Sequence, residues 1–114
     1  MRINLDHAHV FASDCGATVD FFQTMFGAEL VWDETVAGAR VVRLRLGNGF
    51  INVYDQPPRA PRGGAVHHLG IETDDLDSLV KSMADSGHEF RNKIREELTC
   101  KYVMIAGPDD LLIE

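Results

Sequence analysis

The chain has no apolar run long enough to span a membrane, and "MRINLDHAHV" lacks the charged-then-apolar layout of a signal peptide. Cysteine is scarce: Cys15 and Cys100 are too few for a disulfide framework and do not form a metal-type pair. Both read as buried or half-buried thiols, which points to a reducing cytoplasm. Positive charge is also in deficit. With 11 Lys and Arg against 18 Asp and Glu, the formal net charge is -7, which excludes a general nucleic-acid binder. What is present is ordinary for a soluble globular protein: 114 residues, 45% hydrophobic and 25% charged, enough for one domain with a core.

The pattern along the chain repeats. "INLDHAHVFA" alternates like a strand, and "SDCGATVDFFQTMFG" supplies a cap at Ser13 or Asp14. Val19, Phe22 and Phe26 follow at helical spacing, and Gly27 stops the helix. "AELVWDE", "RVVRLRLG" and "FINVYD" read as strands, with "GNG" as a tight turn before the last. "QPPRAPRGGA" carries three prolines and must be a connector. Then "AVHHLGIET" reads as a strand and "DDLDSLVKSMADSG" as a helix with Leu76, Leu79, Val80 and Met83 on one stripe. "HEFRN", "CKYVMIA", a "GPDD" turn and "LLIE" complete a second β-α-β-β-β unit.

His7 and His68 are 61 residues apart, as are Asp14 and Asp75, and Gly27 and Gly87 are 60 apart. The expectation is one α+β domain over residues 1–114: a first βαβββ module over 1–55, a linker over 56–65 and a second module over 66–114. Neither module buries its sheet alone, so the two should pair about a pseudo-two-fold axis, with a curved mixed sheet enclosing a groove.

Strand alternation assigns faces. Ala8, Val10 and Ala12 belong under the first helix, which turns His7, His9 and Phe11 the other way. Leu69 and Ile71 belong under the second, leaving His68, Gly70 and Glu72 opposite and His67 on the helix side. Ile51 and Val53 are core-facing, Asn52 and Tyr54 are not. Leu111 and Ile113 point inward, Leu112 and Glu114 toward the groove. The repeat pairs His7 with His68 and Asn52 with Glu114, so two imidazoles, a carboxylate and an amide converge on one concave surface. Imidazole and carboxylate hold Zn, Ni, Co, Mn or Fe(II), and two His with one carboxylate leave coordination positions open. His9 and Tyr54 share that face, where orienting a substrate and simple packing fit equally. Arg43 and Arg45 suit a groove lining for an anion and a solvated strand edge alike.

"HAHVFASDCGATVDFFQTMFGAEL", "HHLGIETDDLDSLVKSMADSGHEF" and "GPDDLLIE" resemble the vicinal oxygen chelate superfamily over essentially the whole chain. That superfamily includes glyoxalase I, methylmalonyl-CoA epimerase, extradiol dioxygenases, fosfomycin-resistance thiol transferases and bleomycin-binding proteins. The resemblance implies paired βαβββ modules, with metal ligands at His7, His68 and Glu114; His67 is then a bystander. The "HH" pair is similar to the epimerase subgroup. Where glyoxalase-type members carry Glu and epimerases Gln, this chain has Asn52, a shorter neutral side chain and a candidate fourth ligand. Phe11 stands where some bacterial glyoxalases place an arginine near glutathione, so glutathione is not supported. The chain ends at Glu114, short for a last strand, as a trimmed piece would.

The resemblance favours a metal-dependent lyase or isomerase of glyoxalase or epimerase type. It would act on a small substrate with adjacent oxygens through a metal-stabilised enediolate. Glu114 is the candidate base, and Tyr54 and His9 are proton partners. Phe11, Arg43, Arg45, Glu72 and Leu112 line the substrate side. Two alternatives stand beside it: an Fe(II) dioxygenase with a two-His, one-Glu site, and a metal-free small-molecule binding or resistance protein. A cytoplasmic homodimer is expected, since a second copy would close exposed strand edges and cover Phe11 and Leu112.

Overall fold

The computed structural model describes residues 2, 6–36, 38–58, 68–96 and 101–114. The chain is α+β and divides into two compact units, Met1–Arg62 and Gly63–Glu114. The division falls inside the proline-bearing connector.

The first unit is one complete βαβββ motif. Strand β1 (His7–Phe11) leads into helix α1 (Cys15–Phe26), and then come β2 (Glu29–Val36), β3 (Ala39–Leu46) and β4 (Gly49–Tyr54). Their order in the sheet is β1-β4-β3-β2, with β1 and β4 parallel and the remaining pairs antiparallel. Asp14, not Ser13, caps α1: its carboxylate accepts from the Ala17 N–H at 2.9 Å, satisfying a donor the first helical turn leaves open. Gly27 ends the helix at φ 66°, a left-handed position that a Cβ would strain. The helix contacts β3 and β4 and buries Cys15, Thr18 and Phe22. Beneath it lie Val42, Leu44, Ile51 and Val53, as the alternation requires, together with Val10 and Ala12. Full burial of each such Val, Leu or Phe contributes roughly 1.5–3 kcal/mol. The stripe is not quite the expected one: Val19 and Phe26 are half-buried, and Cys15 and Thr18 take the inner positions. The Thr18 hydroxyl is buried with no hydrogen-bond partner among the described residues. Strand β2 lies last in the order, its register shifts between Leu30 and Trp32, and Leu30, Val31 and Val36 are exposed.

The second unit keeps the same internal register in shorter pieces. Helix α2 (Leu76–Asp85) is capped by Asp75, whose carboxylate accepts from Ser78 N–H at 3.0 Å; Gly87, beyond its end, sits at φ 97°. Then come β5 (Arg95–Glu96), β6 (Lys101–Tyr102), β7 (Ile105–Ala106) and β8 (Leu112–Ile113). In the first unit Glu34 faces Val41 and Thr35 faces Arg40; in the second, Arg95 faces Tyr102 and Glu96 faces Lys101. Leu44 facing Ile51 and Arg45 facing Phe50 recur as Ile105 facing Ile113 and Ala106 facing Leu112. The parallel partners Ala8 and Ile51 recur as Leu69 and Ile113. Every one of these pairs is displaced by 61 residues up to Ala106 and by 62 after it. The extra residue lies in the Gly107–Leu111 turn, where Asp109 and Asp110 both take φ 57°.

Two expectations are corrected here. "HEFRN" is not a strand; residues 88–94 carry none, and the pairing begins at Arg95. Asn92 offers a reason, since its side-chain amide donates to the Met104 carbonyl at 2.9 Å and occupies an acceptor a backbone ladder would use. The segment expected as a strand around His68 is held instead by a bridge at Leu69. Its bonds are Leu69 N–H to the Leu112 carbonyl at 3.0 Å, Ile71 N–H to Glu114 at 2.8 Å and Glu114 N–H to Leu69 at 2.8 Å. His67 and Cys100 lie outside the described residues.

Candidate functional site

In the first unit the sheet face away from α1 carries the chemistry. Register places His7 beside Phe50, His9 beside Asn52 and Phe11 beside Tyr54 on β1 and β4, with Arg43 and Arg45 opposite Asn52 and Phe50 on β3. Alternation of period two turns all of them to one side, and the burial of Val10, Ile51 and Val53 on the other side agrees.

A polar chain crosses three strands of this face. Asp6, just ahead of β1, holds the His7 Nδ1 atom at 2.7 Å through Oδ2. The same carboxylate oxygen accepts from Arg43 Nη2 at 2.9 Å. Arg43 Nη1 donates to Asn52 Oδ1 at 3.2 Å, and its guanidinium carbon lies 4.0 Å from the centre of the Phe50 ring. Phe50 is thus a platform under the cation. The hydrogen bond from His7, and then that from Arg43, holds the Asp6 carboxyl below the usual carboxylate range. Asn52 is 8% exposed and Arg43 14%, so this end of the chain is largely withdrawn from water. Arg45 is ion-paired with Glu29. Each of the two arginines expected along the substrate side therefore has an acidic partner within its own unit.

Next to the polar chain the rings of His9, Phe11 and Tyr54 form a cluster. His9 lies 4.9 Å from Tyr54 and 5.4 Å from Phe11, and Phe11 lies 6.0 Å from Tyr54, the last two in edge-on geometry.

In the second unit His68 and Glu114 are neighbours, with Nε2 and Oε2 3.7 Å apart and both side chains partly exposed. Their proximity follows from the parallel pairing of Leu69 with Ile113, which puts the flanking residues on the opposite face. Glu72 is exposed and Leu112 half-buried. Within neither unit do three or more His, Cys, Asp or Glu side chains gather for a metal among the described residues. Among the described residues no helix is long and apolar enough to cross a membrane.

Residues 4–114 match the family described as the Glyoxalase/Bleomycin resistance protein/Dioxygenase superfamily. The chain belongs to that superfamily. Among its relatives is the "Uncharacterized protein YwbC" of Bacillus subtilis (strain 168), 26% identical over 130 residues, covering 100% of this chain and 97% of that one. Solved structures with the same fold include a variant of the fosfomycin resistance protein FosX from Listeria monocytogenes, complexed with Mn(II) and 1S,2S-dihydroxypropylphosphonic acid. It has a TM-score of 0.78 and 17% identity, covering 99% of this chain and 90% of its own. A glyoxalase family protein from Enterococcus faecalis matches with a TM-score of 0.78 and 19% identity, covering 96% and 94%. TnmS3, an antibiotic binding protein from Streptomyces sp. CB03234, matches with 0.78 and 20%, covering 99% and 94%. The superfamily thus spans enzymes and binding proteins on one fold, and the fold alone does not choose between them.

Asp6 is the site residue that sequence reasoning missed. An aspartate just ahead of a strand reads as a solvated charge. The signal was its place directly before His7, which a histidine needing an anchored ring would explain.

Proposed function

We propose that this superfamily member is a metal-dependent lyase or isomerase of glyoxalase or epimerase type, in which His7, His68 and Glu114 hold a divalent ion. The observation that carries the reading is the approach of His68 Nε2 and Glu114 Oε2 to 3.7 Å. Two donors bound at about 2.0–2.2 Å to one tetrahedral centre stand roughly 3.4 Å apart, so the pair needs only a small closing movement to share an ion. The donor set of two imidazoles and a carboxylate suits Zn, Ni, Co or Mn, and Fe(II) equally by chemistry. Asn52, the candidate fourth ligand, already spends its Oδ1 on Arg43, which counts against that role.

Held by these residues, such an ion would supply a Lewis acid that lowers the cost of removing a proton from a carbon beside the substrate's adjacent oxygens. The chain's own residues do the rest. An ionised Glu114 is acceptor-only and is the candidate base. His9 and Tyr54, in ring contact on the face that carries His7, are the candidate proton partners, with Phe11 beside them as an apolar wall.

Metal content after anaerobic purification tests the reading, with Mn(II), the ion in the Listeria FosX structure, the first to add back. The expected result is one tightly held divalent ion, lost in His7→Ala, His68→Ala and Glu114→Gln and kept in His67→Ala. Equal retention in all four variants would sink the ligand assignment. Iron with ring-opening activity would replace this reading by the dioxygenase one. Sedimentation of the pure protein at micromolar concentration tests the proposed homodimer, and a monomer alone would refute it.

A further inference from the structure

We propose that Asp6 is a positioning residue that fixes the tautomer of His7, and that Asn52 serves this function as the anchor of Arg43 instead of as a metal ligand. Asp6 Oδ2 lies 2.7 Å from His7 Nδ1, and an ionised carboxylate can only accept. The neutral ring must then carry its proton on Nδ1, which leaves Nε2 as the lone-pair nitrogen. A solvated imidazole prefers the opposite tautomer, with the proton on Nε2, so the choice is imposed by the partner.

Asp6 alone, 65% exposed in its side chain and ahead of the strand, is poorly placed to hold a ring still. The chain behind it supplies the restraint. Arg43 Nη2 bonds the same Oδ2 at 2.9 Å, and the guanidinium is held through its other terminal nitrogen, Nη1, by Asn52 Oδ1 at 3.2 Å and from below by Phe50. Asn52 is on the inner strand β4 and 8% exposed, so the far end of the chain is rigid where the near end is wet. The planar guanidinium is suited to this bridging because it presents two donors in fixed directions; a lysine could serve one partner or the other. Outer-shell hydrogen bonds of this kind fix ring orientation and raise the basicity of the other nitrogen.

The importance of Nε2 for metal rests on the ligand assignment proposed above, but the tautomer does not. The test is a long-range proton–nitrogen NMR correlation on metal-free protein labelled at histidine, at a pH where the imidazoles are neutral. His7 of the wild type should show the Nδ1–H form, and Asp6→Ala should convert it to the Nε2–H form while His88 is unchanged. Loss of the Asp6 carboxylate should also weaken the added divalent ion about 10- to 100-fold. A wild-type His7 in the Nε2–H form overturns the proposal without any variant, as does an Asp6→Ala protein that keeps Nδ1–H. If His7 shows the expected switch and no ion binds, the positioning role stands and the metal reading of the site falls.

Discussion

Replacing Arg43 with methionine keeps most of the aliphatic stem and removes the fork that joins Asn52 to Asp6. The largest loss is at Asn52, where an amide oxygen in a side chain only 8% exposed is left without its donor. An unsatisfied buried acceptor costs about 1–3 kcal/mol, and the lost contact of the cation with Phe50 adds about 0.5–1. The expected destabilisation of Arg43→Met is therefore about 1.5–4 kcal/mol. Asn52→Leu should cost less, about 1–2 kcal/mol, because Arg43 keeps 14% of its side chain exposed and can turn Nη1 toward water. Once either partner is gone the other has nothing left to lose at this contact. The double variant should then be more stable than the sum of the two single losses predicts, by about 1–2 kcal/mol. Urea unfolding of the four proteins, followed by circular dichroism, measures the difference. A cycle that closes to within about 0.5 kcal/mol would mean the two side chains act independently, and the rigid anchor of the polar chain would be lost with it.

Acid should reveal the three aspartates held below their ordinary range: Asp6 by His7 and Arg43, Asp33 by Arg40, and Asp75 by the Ser78 N–H and hydroxyl. A depressed folded-state pKa contributes stability that is complete above the unfolded value near 3.8 and is lost as pH falls through the folded one. Asp33→Asn should therefore lie below wild type in stability at neutral pH, and the gap should narrow in acid titrations; a constant gap refutes the pairing. At Thr18, whose buried hydroxyl lacks a partner among the described residues, Thr18→Val should stabilise the protein by about 1 kcal/mol in thermal unfolding. A loss of stability would mean the hydroxyl is bonded after all.

How far the fold could be read from the residues differs between the halves. Asp14 and Asp75 at the caps, and Gly27 and Gly87 beyond the helices, carry strong local preferences, and all four sit where the repeat puts them. The face assignment of Ile51 and Val53 follows from alternation because one side of their sheet is dry. "HEFRN" misled because its alternation lacks the apolar payload that fixes a strand, and Asn92 spends its side chain on the backbone acceptor. The polar chain was hidden for a different reason. Arg43 alternates correctly with Val42 and Leu44, but alternation gives a side and not a destination. Only the parallel register of β1 with β4 brings Asp6, 37 positions earlier, within reach.

Strand β2 bears on how the protein behaves in a tube. Its outer backbone groups and the exposed side chains of Leu30, Val31 and Val36 are flanked by the charges of Glu29, Asp33 and Glu34 along the same eight residues and by the register shift after Leu30, features that discourage a neighbouring strand. At neutral pH the net charge of -7 adds long-range repulsion between molecules. Approach to the isoelectric point removes the second protection and leaves the apolar side chains in place, while Asp33, held below the usual carboxylate range by Arg40, keeps its charge. Among the described residues β2 is thus the segment most open to self-association once the net charge falls: turbidity should set in near the isoelectric region around pH 5.1 and be relieved by Val31→Lys.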